Sequence, residues 1–167
     1  MLLVGCMSFA AAEETITLNV WSFTNELEGM INKYYAPTHP NVKITYSIYP
    51  TDGGEYTSKV DNIMAAAADS EEAPDIFTLE AAFVKKYVNS SVTANLADVG
   101  ITEEDVAAAI PVMKQIGTNT ATGELKGLSW QATPGALMYR ASLAEKYLGV
   151  TTPEEFQAKV ADWDLFM

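Results

Sequence analysis

Ile16-Thr17-Leu18-Asn19-Val20-Trp21 alternates apolar and polar side chains, the two-residue period of a strand with one buried face. Asn25 follows, with Glu28 three residues on, a pairing that starts helices because each side chain can take a backbone N–H of the first turn. Leu27, Met30, Ile31 and Tyr34 then recur at helical spacing until Pro37 and Pro40 end the run. The same pair of elements is predicted twice more. Val42 to Tyr49 reads as a strand closed by Pro50 and the turn Asp52-Gly53-Gly54, and a helix from Glu55 to Ala68 carries Val60, Ile63, Met64 and Ala67 on one face. Asp75-Ile76-Phe77-Thr78-Leu79 suits a short buried strand, and Ala81 to Val88 a helix with Phe83, Val84 and Tyr87 inward. Strand-helix alternation of this kind predicts an α/β fold: a mostly parallel sheet flanked by helices, built from right-handed crossovers.

Further along, Thr102 and Asp105 form a capping box for a helix towards Ile116, with Pro111 a kink or break. Residues 119–123 read as a turn, and Lys126 to Trp130 and Ala136 to Tyr139 as short extended pieces. A helix from about Ser142 is stopped by Gly149. Thr152, Pro153 and Glu155 supply cap, first-turn proline and box partner for the next.

The chain has 167 residues and a formal net charge of −12, enough apolar content for a core and too little clustered basic charge for nucleic acid. Arg140 is the only arginine. Acidic groups such as Glu103-Glu104-Asp105 and Glu154-Glu155 are scattered through helix starts and loops, which makes them solvated faces that favour solubility. Residues 1–12 read as a signal peptide, shortened at its start: Leu2 to Phe9 is apolar and too short to span a bilayer, and Ala10-Ala11-Ala12 suits cleavage after Ala12. Leu3-Val4-Gly5-Cys6 also fits a lipobox in which Cys6 is lipidated, an alternative that the apolar Met7 and Phe9 and the lack of a polar tether after Cys6 disfavour. Cys6 is the only cysteine, so a chain beginning at Glu13 has no disulfide and no thiolate metal site.

In open parallel sheets, ligands bind beyond the carboxyl ends of the strands. That rule selects Trp21, Phe23, Asn25 and Glu26 after the first strand and Glu80 after the third. Aromatic faces with carboxylates and amides suit a sugar, whose C–H surface stacks while its hydroxyls exchange hydrogen bonds. Trp21, Trp130 and Tyr139 are the candidate platforms, with core or rim packing as the alternative for each. Catalytic signals are weak. His39, the sole histidine, lies in a loop between Thr38 and Pro40, and carboxylate pairs drawn from Glu26, Glu28, Glu55 and Glu80 are expected by chance in so acidic a chain. No phosphate loop, dinucleotide fingerprint or metal motif is present, so no catalytic residue, cofactor or metal is assigned.

Ile16 to Trp21, Pro74-Asp75 leading into Ile76 to Glu80, and Gly127 to Arg140 together resemble bacterial extracellular solute-binding proteins of family 1, the maltose-binding-protein-like sugar receptors of ABC transporters. The resemblance runs from Ile16 to the end. It implies a type II periplasmic-binding-protein-like fold of two α/β lobes, of which this chain holds an incomplete, N-terminal part. Residues 13–129 would form most of the first lobe, and 130–167 the hinge crossover and the start of the second. The resemblance puts Trp130 and Gln131 near the crossover with Tyr139 after it, makes Asp75 structural, and leaves Glu80 as a ligand contact. The acidic Asp69-Ser70-Glu71-Glu72-Ala73 loop and Ala141-Ser142 after Arg140 depart from the family pattern. Function follows as an expectation: a non-enzymatic, monomeric, exported protein, in the periplasm or on the outer face of the cytoplasmic membrane. It would deliver a carbohydrate to ABC permease subunits and meet the membrane only through them or a lipid anchor. The alternatives are a secreted glycoside-processing enzyme and a sensor-type binding protein for another solute.

Overall fold

The computed structural model describes residues 15–133 and 135–167. The leader reading of 1–12, the Cys6 lipidation site and Pro134 lie outside them. Among the described residues three strands form one sheet in the order β2-β1-β3, with β1 (Ile16–Ser22) central, β2 (Val42–Ile48) on one side and β3 (Ile76–Phe77) on the other. Both pairings are parallel. Ile16 faces Val42 and the register runs to Ser22 opposite Ile48, while Val20 and Trp21 face Ile76 and Phe77.

Helices fill the crossovers. α1 (Glu26–Met30) passes into a wider π turn over Ile31–Tyr35 and a 3₁₀ turn over Ala36–Thr38, so the first helix is regular for a shorter stretch than its periodicity predicts. α2 (Glu55–Ala67) starts directly after Gly53 and Gly54, whose positive φ of 63° and 77° turns the chain in a way side-chain-bearing residues resist. α3 spans Val84–Val88, and residues 81–83, predicted helical, form a turn held by N–H groups of Phe83 and Val84 on the Glu80 carbonyl.

The core of this layer is Tyr56 and Val60 from α2 with Tyr87 from α3. Trp21, Phe23, Tyr49, Met64, Phe77, Leu79 and Phe83 pack against it. Val20, Val60 and Val88 are fully buried, and burial of such a side chain stabilises a fold by about 1.5–3 kcal/mol. The rings meet edge to face, Phe77 on Tyr87 at 5.6 Å and Phe83 on Tyr87 at 6.2 Å, the arrangement ring quadrupoles favour.

The predicted helix from Thr102 does not form as one element. Thr102 and Asp105 make their reciprocal bonds, yet residues 103–108 are turns and the helix proper, α4 (Pro111–Gly117), begins at the proline. Proline has no N–H to give and its ring collides with a preceding turn, so it opens a helix more readily than it continues one. Lys85 then reaches from α3 to the carbonyls of Gln115 and Thr118 at the end of α4, at 2.9 and 3.0 Å. The extended pieces Lys126–Trp130 and Ala136–Tyr139 form no strand. In their neighbourhood the single described bridge is antiparallel, Thr118 with Leu125.

The chain divides into two compact units, the first ending at Ser129 and the second starting at Trp130. The second unit holds α5 (Ala141–Leu148), α6 (Pro153–Lys159) and α7 (Trp163–Phe166). Gly149, at φ 66°, ends α5. The full capping box of Thr152 and Glu155 starts α6, and Asp162 caps α7 through the N–H of Leu165 at 2.9 Å. Ala144 and Val150 are buried, and Leu137, Met138, Tyr147, Trp163 and Phe166 are exposed.

Candidate functional site

Because β1 and β3 run parallel as neighbours, their exits share one edge of the sheet. Trp21, Phe23, Asn25 and Glu26 leave β1 there, and Glu80 follows β3 three residues after Phe77, the partner of Trp21. Five of the eight residues selected by sequence are therefore brought to one edge. Tyr49 joins them from β2, its N–H donating to the Ser22 carbonyl at 2.9 Å.

The five residues do not present themselves alike. Trp21 is half-buried, its ring edge-on to Tyr49 with centroids 5.2 Å apart, and the Lys59 ammonium sits 4.5 Å from the centre of the Tyr49 ring. Phe23 is half-buried too, edge-on to Tyr56 at 5.5 Å and to Phe83 at 6.3 Å. Both rings thus spend part of their surface on the core. Asn25, Glu26 and Glu80 are exposed. Asn25 stands at the start of α1, and its side chain makes no capping bond. The backbone of Glu80 anchors the following turn, accepting from Phe83 at 3.0 Å and Val84 at 2.8 Å, which leaves the carboxylate at the head of the β3 exit.

Beneath the edge lie three buried hydroxyls. Tyr56, fully buried, donates to the Thr78 carbonyl at 2.8 Å and has the Trp21 carbonyl at 3.2 Å. Thr78 donates from Oγ1 to Ser22 Oγ at 3.3 Å, and the N–H of Thr24 also points to that oxygen at 3.2 Å. Burial pushes the Tyr56 hydroxyl up to about 12, against its hydrogen bonds with Thr78, so it remains a neutral donor across the physiological range. Tyr56 was not singled out by sequence. It lies one turn before Val60, and extending that apolar face by four residues finds it.

Trp130, Gln131 and Tyr139 belong to the second unit. Trp130 and Gln131 are exposed at its start, and Tyr139 is half-buried, stacked on Phe156 at 3.8 Å and 6°. One face of that ring is occupied.

Other sequence candidates are also placed. His39 is an exposed loop residue stacked on Tyr35 at 3.9 Å, its Nδ1 2.9 Å from Thr38 Oγ1. Asp75 accepts from the backbone N–H of Asn19 at 2.7 Å. Among the described residues no group of three histidine, cysteine or acidic side chains is arranged to hold a metal ion, and no helix is long and apolar enough to cross a membrane. An open cavity of about 240 Å³ is lined by residues of the 95–106 and 123–125 loops, and none of the eight candidate residues contributes to it.

The sequence pattern of the family described as bacterial extracellular solute-binding protein matches residues 30–167. No curated protein matches. A solved structure of a family 1 extracellular solute-binding protein from Alicyclobacillus acidocaldarius superposes with a TM-score of 0.51 at 19% identity, over 69% of this chain and 28% of that one. A de novo designed cysteine esterase superposes with a TM-score of 0.50 at 17% identity, over 68% of this chain and 27% of its own. At such identities the likeness concerns the fold alone. The chain spans little more than a quarter of the length of either structure.

Proposed function

Given that the chain belongs to the bacterial extracellular solute-binding protein family, we propose that it is part of the extracytoplasmic receptor of an ABC importer and contributes one wall of a carbohydrate site. The observation that carries this reading is the shared strand edge: two aromatic rings, an amide and two carboxylates lie where neighbouring parallel strands end, at the same end of the sheet. Trp21 and Phe23 offer apolar surface for a sugar face, and Asn25, Glu26 and Glu80 offer acceptors and a donor for its hydroxyls.

Trp130 and Gln131 are assigned to the crossover and Tyr139 to the chain that follows it, on the family resemblance. Sugar binds best when both lobes enclose it, so it shifts the population towards the closed form, which permease subunits then accept. No bond is made or broken. The protein acts after export, as a monomer in the periplasm or tethered outside the cytoplasmic membrane through Cys6.

Calorimetric titration of the full-length protein with a panel of mono- and oligosaccharides tests the reading. Saturable binding of one of them is expected. Binding of amino acids, peptides or polyamines instead, with no response to any sugar, would overturn the carbohydrate assignment.

A further inference from the structure

We infer that Ser22, Thr78 and Tyr56 form a positioning device that couples the β1 and β3 exit loops, setting where Glu80 stands relative to Phe23, Asn25 and Glu26. The inference rests on the proposed solute site for its functional meaning, while the coupling itself rests on geometry. Ser22 is the meeting point of all three strand ends. Its carbonyl accepts from Tyr49 after β2, and its Oγ receives Thr78 after β3 at 3.3 Å and the Thr24 N–H of its own exit loop at 3.2 Å. Tyr56 closes the group from α2, with its hydroxyl 2.8 Å from the Thr78 carbonyl and 3.4 Å from Thr78 Oγ1.

Ser22 and Thr78 are each 3% exposed and Tyr56 is fully buried. Hydroxyls in such a place lose their water and regain stability only if every partner is in position, whereas aliphatic side chains would fill the layer without that demand. Neighbouring buried positions do use aliphatic residues, Val20 on the same strand and Val60 one turn along α2. A satisfied buried network of this kind admits one arrangement and disfavours slippage, which is what two loops sharing one ligand require.

The test uses Ser22→Ala, Thr78→Val, their double variant and Thr78→Ser in the full-length protein. Calorimetry with the sugar that saturates the wild type should show Kd raised about tenfold by either single change and no further by the double, the non-additivity of groups acting through one contact. Thr78→Ser keeps the hydroxyl and should bind as the wild type does. A role confined to stability would lower the thermal midpoint and leave Kd of the folded protein unchanged, and that result, or strictly additive effects, would overturn the inference. Amide hydrogen exchange without ligand provides a separate readout: Thr78→Val should speed exchange at Thr24, whose N–H shares the Ser22 Oγ with the Thr78 hydroxyl. If the wild type takes no sugar but Thr24 still responds, the carbohydrate reading falls and the coupling stands. Unchanged exchange at Thr24 removes the coupling.

Discussion

Asn19 and Asp75, 56 positions apart in the chain, hold each other twice: the Asn19 N–H donates to the Asp75 carboxylate at 2.7 Å, and the Asp75 N–H donates to the Asn19 carbonyl at 2.9 Å. The Asn19 side chain extends the tie to the carbonyls of Glu71 and Ala73, at 2.6 and 3.3 Å. β3 is only two residues long, so its attachment to β1 depends on such bonds at its entrance. Asp75→Ala is expected to lower stability by about 1 kcal/mol, the typical net worth of one hydrogen bond and less than a buried bond to a charged group contributes, since the site is exposed. Urea unfolding of the full-length protein checks this, and an unchanged midpoint would contradict it.

Gly117 and Gly127 meet backbone to backbone. A Cβ on Gly117 would lie 2.0 Å from the Gly127 carbonyl oxygen, whereas one on Gly127 would meet nothing nearer than 3.9 Å. Gly117→Ala must therefore push the chains apart and should cost on the order of 1–3 kcal/mol, as overpacking does. Gly127→Ala should sit within about 0.5 kcal/mol of the wild type. Thermal unfolding of the two variants side by side measures the asymmetry.

Glu80→Gln addresses the proposed site without touching the core, because the side chain is exposed. Removing a charged acceptor from a sugar hydroxyl should raise Kd about tenfold or more. The thermal midpoint without ligand should not move. Equal affinity in calorimetry would take Glu80 out of the site.

Glu155 carries a pH dependence with a definite sign. The N–H groups of Thr151 and then Thr152, with the Thr151 hydroxyl, favour its charged form and hold it below its ordinary value of 4.5. A group lowered in the folded state stabilises fully above its unfolded value and loses that contribution as pH falls through the folded one. NMR titration should place the Glu155 midpoint below the ordinary carboxylate range, with amide exchange at the start of α6 speeding up through the same interval. Thr151→Val should raise the midpoint only part of the way, because the backbone donors remain.

Much of this architecture is legible in the chain because its causes are local. Thr152, Pro153 and Glu155 lie within one turn, and the predicted capping box is the one observed. The alternation from Ile16 to Trp21 likewise gives β1 its extent to within a residue. The short α1 and the late start of α3 were not legible, since helical spacing at 27–34 and 81–88 describes which face is apolar and not how many regular turns the packing keeps. Pro111 offered a kink or a break, and the turns preceding it decided for a new start.

The residues by themselves determined an α/β layer of parallel crossovers and the edge at which β1 and β3 end, because strand and helix periods are written within a few positions of each other. Only the tertiary structure decided that Ser22 meets Thr78, that Asn19 meets Asp75 and that Tyr56 lies beneath both exits. Those partners are 22 to 56 positions apart, and their meeting is set by strand register, a cooperative property of the packed sheet that no short stretch of chain carries.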